Sequence, residues 1–245
     1  MKVGSVDRSK AQKQWRSLVK ALRSAGIKVN AIKQKKGLPD MVFAADQGFV
    51  NKKDVVLSNF RYRQRQGETK YYQDWFEAKG FTIKTLPKNY FFEGSGECVR
   101  AGKTFLVGTG FRNSPGVCKF LSKFLDVEAV CLELVSPKFY HLDTCLFALN
   151  DFVAFYYPFA FSPASRKILK SMFKQLIPLK RNEAESFAAN SLVTDHHVVT
   201  QSGNSHFKKQ VESFGYKVLE ADVSEFLKSG GGIHCLVQTL EERYE

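Results

Sequence analysis

No apolar run in this 245-residue chain approaches the ~20 residues that a bilayer-crossing helix needs, so no membrane association is expected. The start, Met1-Lys2-Val3-Gly4-Ser5-Val6-Asp7-Arg8, lacks the apolar stretch of a secretion signal, and a cytoplasmic setting is expected. Cysteine is sparse: Cys98, Cys118, Cys131, Cys145 and Cys235 are odd in number and form no CxxC pair. That pattern argues for a reducing compartment, against a disulfide framework and against structural zinc. Histidine is scarce as well, with no HExxH, and the adjacent His196-His197 reads as surface residues at a strand end. The expectation is a protein without metal or cofactor. No linker or low-complexity stretch divides the sequence, so residues 1–245 are expected to form a single domain.

Acidic residues are outnumbered, 24 against 37 Lys and Arg, which leaves a net charge of +13. Such an excess raises the question of a nucleic-acid partner. The lysines are spread along the whole chain, with local clusters at Lys33-Gln34-Lys35-Lys36 and Lys180-Arg181. There is no RNP-like aromatic motif, no helix-turn-helix pattern and no basic tail. A solvated lysine-rich surface is the better reading, and no specific nucleic-acid partner is expected. A basic module that binds polyanions or a protein partner stands as the non-enzyme alternative.

A helix-then-strand phrase recurs. Trp15 to Ala25 places Trp15, Leu18, Val19 and Leu22 on one stripe, stops at Gly26 and leads into Ile27-Lys28-Val29. The phrase returns at Tyr71–Lys79 with Phe81–Ile83, at Cys118–Leu125 with Val127–Val135, at Arg166–Gln175 with Leu176–Leu179, and at Lys208–Phe214 with Tyr216–Leu219. Between these lie strand pairs: Met41–Val50 with Val55–Phe60, Cys98–Arg100 with Thr104–Gly108, Cys145–Leu149 with Val153–Tyr157, and Ser191–Thr194 with His197–Thr200. Five strand-strand-helix-strand units at a spacing of ~40–55 residues suggest an α/β repeat closed into a ring. A doubly wound parallel sheet would need one strand per helix and Gly-rich phosphate loops, and neither fits.

Polar residues gather where these strands begin or end. Gly230-Gly231-Gly232-Ile233-His234-Cys235 delivers a thiol on a flexible glycine run, a candidate nucleophile if its thiolate is stabilised. Tyr140-His141-Leu142-Asp143-Thr144 sets a histidine beside a carboxylate. Leu38-Pro39-Asp40 through Asp46 brackets an apolar run whose pleat would put Asp40 and Asp46 on one face. Phe92-Glu93-Gly94-Ser95-Gly96-Glu97 adds two more carboxylates, although Asp and Gly flank strands routinely as turn residues. If these segments converge, Cys235 is the nucleophile, His141 the general base and acid, and Glu93 its orienting partner. Asp46 and Asp143 then face a cation, and a planar guanidinium suits them because it donates paired N–H bonds. A metal is the rival use for such groups, without supporting ligand spacing.

The motifs GGGIHC, YHLDT, FEGSGE and LPDMVFAAD, in this order from the C-terminus, resemble those of the guanidino-group-modifying enzymes. That superfamily includes arginine deiminases, dimethylarginine dimethylaminohydrolases and amidinotransferases, and the likeness runs from about Trp15 to Leu240. It implies a five-bladed α/β propeller of ββαβ modules with pseudo-fivefold symmetry. It implies attack of Cys235 on the guanidinium carbon of a small-molecule substrate, a covalent thiouronium, and His141 serving first the leaving amine and then the water. By resemblance Asp46, Asp143 and Asp40 contact the substrate, and Arg65 and Arg112 are candidates for its carboxylate. Acid at both Asp46 and Asp143 favours arginine, giving citrulline and ammonia or onward ornithine, over dimethylarginine, with amidino transfer third. Two positions depart from the common pattern: Asp46 where Asn is frequent, and Glu97 where Asp is commoner. The sequence leaves oligomeric state open, a homodimer included.

Overall fold

The computed structural model describes residues 5–240, so the Met1–Gly4 part of the start read above lies outside the described residues. Helix α1, Arg8–Ser24, is capped by the Asp7 side chain, which accepts from the Lys10 N–H at 3.0 Å. Leu18 and Leu22 are buried on its inner stripe, and its polar edge is tied down by Gln14, whose amide donates to Asp222 at 2.7 Å.

Four units of the same plan follow. The first is β1 (Gly48–Asn51), β2 (Asp54–Leu57), helices α2 (Arg63–Gln66) and α3 (Thr69–Ala78), then β3 (Thr82–Lys84). The second is β4 (Cys98–Ala101), β5 (Thr104–Thr109), α4 (Val117–Leu125) and β6 (Glu128–Glu133). The third is β7 (Leu146–Ala148), β8 (Val153–Tyr156), α5 (Pro163–Met172) and β9 (Gln175–Pro178). After the short helix α6 (Arg181–Glu185) comes the fourth: β10 (Leu192–Val193), β11 (His197–Gln201), α7 (Ser205–Ser213) and β12 (Lys217–Ala221), with α8 (Ser224–Leu227) behind it.

Each unit makes a three-stranded mixed sheet. Its first two strands pair antiparallel through a tight turn, as in Phe49 opposite Val56, and the third returns parallel after the helix, as in Val55 opposite Ile83. The middle strands are the most apolar: Val55, Val56, Leu106, Val107, Ala154, Phe155, Val198 and Val199 are all fully buried. Burial on both faces explains why those strands read as continuous apolar runs.

Three sequence expectations change. The segment expected as one strand from Met41 to Val50 is two consecutive 3-10 turns, Pro39–Val42 and Ala44–Gln47, and the strand starts only at Gly48. Pro39 has no N–H for a ladder, and Phe43 N–H bonds back to the Asp40 carbonyl at 3.0 Å, so the chain coils instead of extending. The apolar residues are still buried, which is why periodicity alone misleads. The cysteine reading is also corrected: Cys118 on α4 and Cys131 on β6 form a disulfide, with Cα atoms 5.9 Å apart. The helix packs on the strand that follows it, and this brings together two cysteines that the sequence sets 13 residues apart. The first of the five expected units has its helix, α1, but Ile27–Val29 joins no ladder among the described residues. No described helix is long and apolar enough to cross a membrane.

Candidate active site

The turns that precede the first strand of successive units carry the chemistry. Ala44–Gln47 holds Asp46, Gly94–Glu97 follows Glu93, and Leu142–Thr144 follows His141 and contains Asp143. Cys235 sits in a last turn, closed by Leu236 N–H on the Gly232 carbonyl at 3.3 Å and Val237 N–H on the His234 carbonyl at 2.9 Å. The Ala45 N–H donates to the Cys235 carbonyl at 3.1 Å and joins this turn to the Asp46 turn. Gly96 makes the assembly possible: a Cβ there would stand 2.6 Å from Asp46 Oδ1 and 3.0 Å from His141 Nδ1.

At the centre, His141 Nε2 lies 2.8 Å from Glu93 Oε2, and its Nδ1 faces Asp46 Oδ1 at 3.5 Å. Burial works against a charged imidazole, but the Asp46 carboxylate, the Glu93 hydrogen bond and Glu97 outweigh it and lift His141 to about 9. Glu93 feels the same pairing from the other side. Burial pushes it up, while the His141 hydrogen bond and the charges of His141 and Arg112 bring it down to about 2. At neutral pH the pair is therefore imidazolium and carboxylate.

Cys235 is 3% exposed, with Sγ 3.3 Å from Asp143 Oδ2 and accepting from Asn190 Nδ2 at 3.1 Å. Burial, followed by Asp143 and Asp46, pushes its thiol well above the ordinary range. The resting sulfur is a thiol, which donates toward Asp143. Asp143 Oδ2 also pairs with His234 Nδ1 at 2.8 Å.

Asp46 Oδ1, Asp143 Oδ1 and Glu93 Oε1 are buried and have no hydrogen-bond partner. Buried acceptors of this kind are costly unless something supplies donors. A cavity of about 220 Å³ is lined among others by Asp40, Asp46, Arg65, Arg112, His141 and Cys235, while Asp143 and Glu93 stand behind Cys235 and His141 and are not part of its lining. Asp40 and Asp46 thus share a cavity through the coiling of two turns rather than through a pleat.

Both arginines line the cavity, Arg65 with its donors engaged and Arg112 with Nη1 engaged. Arg65, on α2, is 6% exposed; it bonds Asp46 Oδ2 at 2.6 Å and Glu68 Oε2 at 2.9 Å, and stacks over Phe60. Glu68 is held in turn by Gln47 at 2.6 Å. Arg112 bonds Glu93 Oε2 at 3.0 Å and lies between the rings of Tyr62 and Tyr140. Sequence reasoning missed Glu68, Asn190 and a role for His234. Only His234 carried a signal, its place beside Cys235; Asn190 sits in a plain Ala-Ala-Asn-Ser stretch. His196 is exposed and His197 begins β11, away from these groups in the lining.

The arrangement of acid, base and thiol around unmet acceptors is that of an enzyme. The sequence matches the family described as N,N dimethylarginine dimethylhydrolase, eukaryotic, over residues 2–241, and the chain belongs to that family. It is 36% identical over 239 residues to the bifunctional arginine dihydrolase/ornithine cyclodeaminase AgrE of Nostoc sp., covering 96% of this chain and 34% of that protein. It therefore spans about a third of the length of that relative. It is 34% identical to the N(G),N(G)-dimethylarginine dimethylaminohydrolase of Mycobacterium tuberculosis, covering 94% of this chain and 76% of the relative. The N-terminal domain of ArgZ, an arginine dihydrolase from cyanobacteria solved with substrate as a cysteine-to-serine mutant, superposes with a TM-score of 0.91 at 34% identity, covering 94% of this chain and 86% of that one. The Pseudomonas aeruginosa dimethylarginine dimethylaminohydrolase, at 20% identity and a TM-score of 0.85 over 96% of this chain and 90% of its own, shares the fold. The family is one of hydrolases of guanidino C–N bonds.

Proposed function

We propose that this chain hydrolyses the guanidino C–N bond of L-arginine, releasing ammonia and citrulline, with Cys235 as nucleophile. The observation that carries the reading is the set of buried carboxylate oxygens that accept no hydrogen bond, Asp46 Oδ1 and Asp143 Oδ1, around a buried thiol, the first with only the His141 ring 3.5 Å away. An unsubstituted guanidinium brings N–H donors and a positive charge to all of them at once.

Binding of that cation offsets the two carboxylates that hold Cys235 protonated, so the thiol gives its proton to solvent when the substrate is in place and regains one as citrulline leaves. The sulfur attacks the guanidinium carbon, and the His141 imidazolium gives its proton to the departing nitrogen, which leaves as ammonia. The resulting thiouronium is opened by water, whose proton passes to the now neutral His141, and the sulfur is released. Glu93 supports the imidazolium throughout. A second hydrolysis, to ornithine, would place the neutral ureido group of citrulline between Asp46 and Asp143, where no cation offsets their charge. Arg112, between Tyr62 and Tyr140, is assigned to the substrate carboxylate, whereas Arg65, its guanidinium already held by Asp46, Glu68 and the Asp40 carbonyl, is assigned to fixing Asp46.

The four sheets and α1 are read as one catalytic domain, a pseudo-fivefold propeller whose first blade contributes its helix. The cytoplasmic setting expected from the sequence loses its cysteine argument, because the Cys118–Cys131 disulfide belongs with oxidising conditions. Dimethylarginine hydrolysis is the second reading, favoured by the family match. Two methyl groups would, however, remove N–H donors that Asp46 and Asp143 can accept.

Intact-protein mass after acid quench, with L-arginine, dimethylarginine, agmatine and guanidinoacetate offered separately, tests this. A covalent adduct with L-arginine that is absent from Cys235→Ser is expected. No adduct and no turnover with any of the four overturns the reading.

A further inference from the structure

Asn190 is fully buried and takes no part in the chemistry described so far. A tight turn presents it. Phe187 adopts φ +57, a left-handed conformation uncommon for a bulky residue, and Asn190 N–H closes the turn on the Phe187 carbonyl at 3.0 Å. The next residue anchors the turn to β11, Ser191 Oγ donating to Thr200 at 2.8 Å.

From this turn Asn190 directs its carbonyl and both side-chain polar atoms at the surroundings of Cys235. Its carbonyl accepts from His234 N–H at 3.1 Å and its Oδ1 from Cys235 N–H at 3.2 Å. Its Nδ2 donates to the Asp143 carbonyl at 3.3 Å and to Cys235 Sγ at 3.1 Å. The orientation of the amide follows from chemistry: a backbone N–H can only donate and a backbone carbonyl only accept, so the edge toward the sulfur is N–H. Gly232 leaves room for it, since a Cβ there would stand 2.7 Å from Asn190 Oδ1.

The sulfur's other side-chain neighbour, Asp143 Oδ2, is an acceptor. It suits S–H and repels the anion. The Asn190 N–H behaves in the opposite way: its bond to sulfur strengthens when the proton leaves, as donor bonds to ionised groups do. The Gly232 backbone N–H acts in the same sense. We propose that Asn190 is a catalytic residue whose side-chain N–H donates to the Cys235 sulfur, stabilising the anion that attacks and fixing its position. This rests on Cys235 being the nucleophile.

The test needs no substrate, so its failure is separate from failure of the arginine reading. Rates of Cys235 alkylation by iodoacetamide are followed against pH for the wild type, Asn190→Asp and Asn190→Ala, with Cys235→Ser as the blank. Asp143, Asp46, His234 and Tyr140 around the sulfur, and His141 in the same cavity, are common to all and cancel in the comparison. Asn190→Asp keeps an acceptor for the Cys235 N–H but replaces the donor on sulfur by oxygen. It should alkylate about 10-fold more slowly or worse at pH 8 and fall below Asn190→Ala. If the residue only supports the loop, Asn190→Asp matches the wild type and the proposal is overturned. Should Asn190→Asp fail to fold, Asn190→Ala decides: its alkylation inflection should move to higher pH, and an unmoved inflection overturns the proposal.

Discussion

His234 Nδ1 lies 2.8 Å from Asp143 Oδ2, the same oxygen that stands 3.3 Å from Cys235 Sγ. One carboxylate oxygen is thus held by a ring nitrogen on one side and receives the thiol on the other, while its twin, Oδ1, is buried and unpartnered. In the proposed reading, His234 leaves Asp143 Oδ1 as the oxygen for a substrate cation.

Asp143→Asn should therefore weaken arginine binding. Loss of a charge-assisted acceptor is worth about 1.5–3 kcal/mol, so KM should rise about 10-fold to 100-fold. Cys235 also loses a neighbour that raises it, and its thiol should ionise at lower pH. Steady-state kinetics of ammonia release and thiolate absorbance check the two halves. An unchanged KM would remove Asp143 from the binding site.

Turnover should disappear on the alkaline side with an inflection near 9, the range to which His141 is lifted. The same shift has a stability consequence. A histidine whose folded value lies above its unfolded one stabilises the fold fully below about 6.5, and this contribution is lost as pH rises through about 9. Activity profiles and urea titrations at pH 6 and pH 10 measure both, and His141→Gln should flatten the difference.

Glu97 behaves in the reverse of the common acidic pattern. It is wholly buried beneath the site, its Oε2 accepts only a 3.3 Å bond from Leu142 N–H, and burial lifts it to about 8. Its folded value is above the unfolded 4.5, so the wild type loses stability between these two values as pH rises. Glu97→Gln, neutral at every pH, should melt higher than the wild type at pH 9 and lose that advantage at pH 5. Parallel melting curves at the two pH values decide it.

Reduction of the Cys118–Cys131 bridge should cost stability without touching chemistry. A loop of about this length gives about 3 kcal/mol in the chain-entropy view. Cys118→Ser should lower the urea midpoint, remove its dependence on reductant and leave KM for arginine unchanged.

Much of the architecture was legible because the middle strands are apolar throughout and each helix carries a clean stripe, so that period and order could be read together. Residues with a chemical signature were equally visible: Cys235 behind three glycines, His141 beside Asp143, Glu93 among glycines. What escaped depended on packing that no spacing encodes. Asn190 reaches the sulfur through a left-handed Phe187 and a gap left by Gly232, neither of which marks it out in the sequence. Met41 to Gln47 looked extended because coiled and pleated chains can bury the same apolar residues. The Cys118–Cys131 bond was hidden because its partners meet only after α4 folds back on β6.

The reacting groups come from different units, and the thiol arrives behind the last of the four sheets. A nascent chain emerging from the ribosome therefore brings these groups together only after Cys235 has followed all four sheets out. Fragments clipped before Cys235 carry the carboxylates and His141 yet lack the proposed nucleophile. Chain order thus makes the gathering of these groups depend on all four sheets having folded.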